Sequence, residues 1–294
     1  VAAALQISRL QSANWPVGKT CPDRLILPES SQVFRGRELT LKTRRIVSGL
    51  DSIDRLIGGG IVRGRVSEIL GHAGTGKTSL AMAYAAAITR SEAAAWIEAH
   101  DNLDPASMIA AGIEPARMLW VSCSHPHLPR HHTYLFDDND AADNAAAMKS
   151  ERRHRAVAIL KAAEWVLAAG GFGLVVIDFG SAIRFIPQSA ALRLARAAES
   201  SGAAIIVLAE QRMCGTFAVL SLELIRQRAH FNRIARGACT TFDGQLIEAR
   251  VMRNKLGGSG GTALWGTAVD PYETSNSLSS FINKDGRTMA ASAG

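Results

Sequence analysis

Gly71-His72-Ala73-Gly74-Thr75-Gly76-Lys77-Thr78 matches the pattern G-x-x-x-x-G-K-[ST] at every fixed position. The flanks suit it. Arg65–Leu70 is a short β-prone run, and Ser79–Arg90 is Ala-rich and free of Gly and Pro, so strand, loop and helix follow in order. The glycines let successive backbone N–H groups turn inward onto an anion. The helix that opens next presents its positive end to the same place. Lys77 adds a mobile cation for the outer phosphates, and the Thr78 hydroxyl is a ligand for Mg²⁺. The stretch from Gly71 to Thr78 therefore reads as a nucleoside triphosphate site, with Mg²⁺ as the expected metal.

A second stretch supports it. Gly173-Leu174-Val175-Val176-Ile177-Asp178 is an apolar strand ending in an acid. A carboxylate at the carboxyl end of a neighbouring strand is placed to hold Mg²⁺ through water, so Thr78 and Asp178 form the expected metal pair. A third apolar run, Ala204–Ala209, ends in Glu210-Gln211-Arg212-Met213. Gln211 would face the same crevice and could orient water or sense a γ-phosphate.

The remaining pattern is strand alternating with helix, which predicts an α/β fold with a mostly parallel sheet flanked by helices. Ala93–Glu98 and Met118–Ser122 read as strands. Asp104–Ala111, Ser150–Ala169 and Gln188–Ser200 read as helices, and Ser48–Gly60 as a short helix capped by Ser48 or Asp51. Phe217–Arg228, Gln245–Lys255 and Thr262–Trp265 read as an antiparallel C-terminal extension. Residues 1–45 read as a basic arm with a short helical start from Ala2 to Gln11. Residues 46–270 read as the core, with 125–148 a surface insert, and 271–294 as a disordered tail.

Composition narrows the function. The 294 residues are 47% hydrophobic and 20% charged, as in a soluble globular protein. No apolar run is long enough for a membrane helix, and no signal peptide opens the chain, so a cytoplasmic protein without membrane contact is expected. Cys21, Cys123, Cys214 and Cys239 form no C-x-x-C pair. His125, His127, His131 and His132 lie among prolines with no spaced acid or cysteine to complete a metal set. The net charge is +7, and its distribution is uneven. Basic residues gather in 1–50 and again at Arg226, Arg228, Arg233, Arg236, Arg250, Arg253 and Lys255, which points to a polyanionic partner.

These segments together resemble the RecA superfamily of ATPases over most of residues 46–268. Ser48-Gly49-Leu50-Asp51 resembles the entry to the family's core. Ile97-Glu98-Ala99-His100-Asp101-Asn102-Leu103-Asp104-Pro105 is similar to its acidic stretch after the second core strand, and Val251-Met252-Arg253-Asn254-Lys255 to its lysine-rich strand. The resemblance implies a homo-oligomer that binds single-stranded DNA, with Gln211 coupling nucleotide to DNA and with Arg253 and Lys255 reaching a neighbour's ATP. It also implies a role in recombination or the wider DNA-damage (SOS) response.

The departures matter as much. His100 stands where the family has its catalytic glutamate, with Glu98 and Asp101 beside it, so slow hydrolysis is expected. The spans between Asp178, Gln211 and Lys255 are short for the family, which argues against strand exchange. The shortened core resembles the ImuA-type accessory factors of translesion synthesis, which implies a polymerase-complex partner. RecA itself and the clock-type or Sms-type paralogues stay open. The second expectation is a nucleotide-gated oligomeric interaction protein with little hydrolysis and no DNA contact.

Overall fold

The computed structural model describes residues 4–6, 24–26, 44–123, 141–181, 183–233, 240–257 and 260–268. The chain forms two compact units, Val1–Lys42 and Thr43–Gly294. In the first, β1 (Ala4–Gln6) pairs antiparallel with β2 (Arg24–Ile26). The expected helical start is thus a strand at residues 4–6. A stretch this short cannot repay helix nucleation, and a ladder partner decides its conformation.

The second unit is built on one sheet of eight strands. Its elements in chain order are β3 (Arg45–Ile46), α1 (Asp51–Leu56), β4 (Ile61–Val62), β5 (Val66–Leu70), α2 (Lys77–Thr89), β6 (Ala93–Glu98) and α3 (Pro105–Ala110). A single 3₁₀ turn then leads to β7 (Met118–Ser122), α4 (Ala141–Ala169), β8 (Phe172–Asp178), α5 (Gln188–Ser201) and β9 (Ala204–Ala209). β10 (Ala218–Arg233), β11 (Thr240–Asn254) and β12 (Thr262–Ala268) close the described chain. The sheet order is β12-β11-β10-β5-β9-β8-β6-β7. From β10 to β7 neighbouring strands run parallel, while β10, β11 and β12 pair antiparallel. The expected α/β class and antiparallel extension are both present.

β9 is apolar at every position, and β8 up to its closing Asp178, because both of their faces are covered. Leu174 and Val176 of β8, with Ala204, Ile206 and Leu208 of β9, join a core with α1 and α2. The alternating residues Val175, Ile177, Ile205 and Val207 join the core under α4 and α5. α5 has its buried residues at Ala190, Ala191, Leu194 and Ala198, one helical stripe against that second core.

Three boundaries differ from expectation. α1 begins after Leu50, whose position as N-cap carries no side-chain cap. Neither Ser48 nor Asp51 caps it. Instead Ser48 Oγ accepts from the Leu50 N–H at 3.1 Å, and the buried Asp54 carboxylate takes the N–H groups of Ser48 and Gly49 at 3.0 Å. α4 starts at Ala141 rather than Ser150, so the last part of the 125–148 insert is helical; the histidines at 125–132 lie outside the described residues. β10 and β11 run on to Arg233 and back from Thr240, longer than their apolar cores, because antiparallel pairing satisfies their backbones without burial.

One buried acid ties the sheet to the turn after β9. Glu68 of β5 is wholly buried; its Oε1 accepts from the N–H groups of Met213 (2.8 Å) and Cys214 (2.6 Å), and its Oε2 from Ser221 Oγ at 2.7 Å. Burial, and then the Glu68 charge, push the Cys214 thiol far above its ordinary range, so it stays protonated. Glu68→Ala would strand three buried donors. A loss of about 3 kcal/mol or more is expected, read as a lower denaturant midpoint at unchanged m-value. A midpoint unchanged from wild type would mean water or a neighbour satisfies those donors.

Candidate nucleotide site

The carboxyl ends of the parallel strands lie level, since Glu98 pairs with Asp178, Asp178 with Leu208, and Leu208 with Ile69. The loop after β5 opens into the crevice at those ends, where ligands of open α/β sheets sit. His72, Ala73 and Gly74 are exposed at its crown, Thr75 is buried beneath, and Gly76, Lys77 and Thr78 are half-buried. Thr75 Oγ1 donates to the His72 carbonyl at 2.8 Å and pins the turn.

Two of the glycines are required by what lies against them. A Cβ on Gly71 (φ +147°) would sit 2.6 Å from both the Leu224 carbonyl oxygen and Thr75 Oγ1. A Cβ on Gly76 (φ +82°) would sit 2.5 Å from Ile247 Cδ1 and 3.3 Å from the Trp265 ring. The antiparallel extension therefore packs directly on the loop.

Lys77 opens α2 and folds back over the loop. Its ammonium donates to the Gly71 carbonyl and, at 3.3 Å, to that of His72. Burial lowers its pKa, opposed by the nearby charges of Asp178 and Glu210. Asp178 is the mirror case: burial raises its carboxyl, opposed by the Gly180 N–H (2.8 Å to Oδ1) and by Lys77. The structure thus brings Lys77, Asp178 and the loop into one desolvated crevice, and adds Glu210 to them.

A magnesium nucleotide fits these groups. The Lys77 Nζ now rests on carbonyls that phosphate oxygens would outcompete, and Gly71, Gly74 and Gly76 all have positive φ, the backbone that turns successive N–H groups onto an anion. Among the described residues no cluster of three or more His, Cys, Asp or Glu side chains could hold a metal alone. The donors are those of Mg²⁺ held by one hydroxyl (Thr78), one carboxylate (Asp178), water and phosphate.

The acidic stretch after β6 is differently disposed. Glu98 is 2% exposed and accepts from the Asn102 N–H (2.8 Å), the Leu103 N–H (3.2 Å) and Trp120 Nε1 (2.7 Å). Burial raises its pKa, the Asn102 N–H and the Trp120 and Leu103 bonds lower it, and the charge of Asp178 adds to the rise. Its oxygens shape the turn that leads into α3, whose N-cap is Asp104. His100 Nδ1 lies 2.8 Å from Arg155 Nη1, and Arg155 in turn pairs with Glu151. A guanidinium can only donate, so Nδ1 accepts and the imidazole is neutral with its proton on Nε2. Arg155 is 55 residues from His100 on α4, and no motif links the two.

Gln211 is exposed. Its Nε2 donates to the Arg184 carbonyl at 2.8 Å, and Glu210 lies 3.7 Å from the Arg184 guanidinium. The end of β9 thereby grips the loop after β8, on which Phe185 is 72% exposed. Arg253 and Lys255 are elsewhere: they donate to the carbonyls of Gly215 and Thr216. The Lys255 N–H bonds Val219, level with the start of β5, so roughly 13 Å of strand separates Lys255 from the loop of its own chain.

The fold and crevice define an α/β protein with a phosphate-loop sequence at its strand ends. A family model for the RecA N-terminal domain matches residues 29–126. Protein RecA of Arthrospira platensis is 37% identical over 92 residues, 31% of this chain and 25% of the relative. Protein RecA of Trichodesmium erythraeum (strain IMS101) is 36% identical over 92 residues, and that of Gloeobacter violaceus 37% over 79. The chain spans about a quarter of the length of the curated relatives it matches. Over that part the chain is similar to RecA proteins. Among the described residues, no helix is long and apolar enough to cross a membrane.

Proposed function

We propose that the chain is an ATP-binding, RecA-like DNA-repair factor whose nucleotide state controls its hold on single-stranded DNA. The observation that carries this is that Glu210, whose charge is felt at Lys77, and its neighbour Gln211 grip the loop bearing Arg184 and Phe185. An exposed aromatic beside an arginine is what a single strand stacks on. The similarity to RecA proteins supports the same reading. Bound Mg²⁺ would neutralise phosphate charge; this chain's part is to hold the phosphates at Gly71–Lys77 and the ion at Thr78 and Asp178.

Hydrolysis is expected to be slow, because Glu98 and the His100 Nδ1 are both engaged. Nucleotide then acts chiefly as a switch ligand, as the interaction-protein reading requires. The segments 179–187 and 210–217 are short, which favours an accessory role beside a translesion polymerase complex over strand exchange. Arg253 and Lys255, too far from their own loop, are assigned to the nucleotide of a neighbouring copy in a cytoplasmic homo-oligomer.

The test is the affinity of the full chain for a single-stranded oligonucleotide at ~0.15 M salt, with ATP, ADP or neither. ATP should tighten binding at least about fivefold, a modest coupling energy. Lys255→Ala should remove that gain while leaving nucleotide affinity of the monomer unchanged. Equal affinity in all three nucleotide states would leave only the interaction-protein reading.

A further inference from the structure

We infer that Arg226 is a phosphate-binding residue, acting in cis on the outer phosphates of the nucleotide held by the Gly71–Thr78 loop; this rests on the nucleotide reading above. β10 does not stop where the loop begins. Glu223 pairs with Leu70, the last residue of β5, and the Leu224 carbonyl lies against Gly71. Two residues on, the Arg226 guanidinium reaches the crown: its Nη1 lies 3.4 Å from where a Cβ on Gly74 would be.

Among the described residues no other group occupies that guanidinium. The Arg226 side chain is exposed and makes no hydrogen bond or ion pair among the described residues. Its cross-strand partner on β11 is Ile247, an apolar residue that packs under Gly76. The next acid along β11, Glu248, is engaged by Gln227 and Arg250. A permanently charged group is therefore held beside an anion-binding loop without a carboxylate to neutralise it. Ile247 and Trp265 fix the strands to the underside of the loop, so the arginine backbone is positioned before any ligand arrives.

The placement also selects which phosphates it meets. Gly76 is where α2 begins, with its cluster of free N–H groups; beside it lies Gln245, whose Nε2 is 3.7 Å from a Gly76 Cβ. Gly74 is further out along the loop, and Arg226 lies on that outer side. A planar guanidinium binds two phosphate oxygens at once, which a lysine in its place could not do. Lys77, desolvated in the crevice, is left as one of two cations rather than the sole counter-charge to a triphosphate.

The experiment is equilibrium titration of the full chain with fluorescent analogues of ATP, ADP and AMP, comparing wild type, Arg226→Ala, Arg226→Lys and Lys77→Ala. Arg226→Ala should weaken the triphosphate roughly tenfold or more, the diphosphate less and the monophosphate hardly at all. Arg226→Lys should recover part of the loss, and the thermal midpoint of Arg226→Ala should match wild type. If wild type binds and Lys77→Ala does not, yet Arg226→Ala binds as wild type, the nucleotide reading stands and this inference falls. An equal loss for all three analogues would make Arg226 a structural residue and overturn it too. If wild type binds no better than Lys77→Ala, both readings fail together.

Discussion

Lys77→Ala is expected to weaken ATP binding about a hundredfold without loosening the fold. The ammonium is half-buried, its pKa is lowered by that burial, and its acceptors among the described residues are the Gly71 and His72 carbonyls. The His72 carbonyl belongs to the exposed crown and can turn to water, and the Gly71 bond is only part-buried, so truncation strands no fully buried partner. With nucleotide bound, the same ammonium would make charge-assisted bonds to phosphate, each contributing about 1.5–3 kcal/mol, and losing even one net bond at the upper end costs about two decades of affinity. The effect should extend to the metal. Asp178 loses the charge that now opposes its burial, so its carboxyl would titrate still higher and hold Mg²⁺ less well as pH falls. Fluorescent-nucleotide titration with a thermal melt on the same sample reads both. Affinity within about twofold of wild type would place the nucleotide elsewhere or nowhere.

Much of this site is local, and what is local was legible. The loop, its flanking strand and helix, and Asp178 at the end of an apolar run are each read from a few adjacent residues. Strands β6 and β9 have the limits that their apolar runs predict, because central strands buried on both faces cannot extend into polar sequence. What pairing or long-range contact decides was not legible. Residues 4–6 became a strand because a partner at 24–26 took their hydrogen bonds, and β10 and β11 outran their apolar cores because they pair with each other. The Ser48 and Asp51 caps gave way to Asp54, which serves the same backbone from inside α1. Arg155, Glu68 and Arg226 carry roles set by neighbours distant in the chain, and no spacing announces them. The match to the RecA N-terminal domain model spans the phosphate loop and its flanks and stops at residue 126, before β8.

The combined change His100→Glu, Arg155→Gln is expected to raise ATP turnover at least tenfold, and His100→Glu alone far less. Water attacking a phosphate needs a group that accepts or orients its proton, and positioned acid–base groups contribute about 10²–10⁴-fold. Two candidates stand after β6, and each is engaged. Glu98 gives its oxygens to the Asn102 and Leu103 N–H groups and to Trp120, and freeing it would unmake the turn into α3. His100 presents Nδ1 to a guanidinium and carries its proton on Nε2, so neither nitrogen is a base in this arrangement. A glutamate at position 100 meets the same guanidinium and would be captured in a largely buried ion pair, held more firmly than the histidine it replaces. Only removal of the Arg155 charge frees that carboxylate for water, and glutamine keeps a side chain of similar reach on α4 to bond Glu151. Steady-state turnover with single-stranded DNA, blanked by Lys77→Ala, separates the cases. Equal gains in the single and double variants would mean that Arg155 restrains nothing. No gain in either would put the block to hydrolysis elsewhere, at Gln211 or at the trans pair Arg253 and Lys255. A gain confined to the double variant would mean that the chain suppresses turnover with a cation while keeping the means to bind nucleotide, as a switch protein needs.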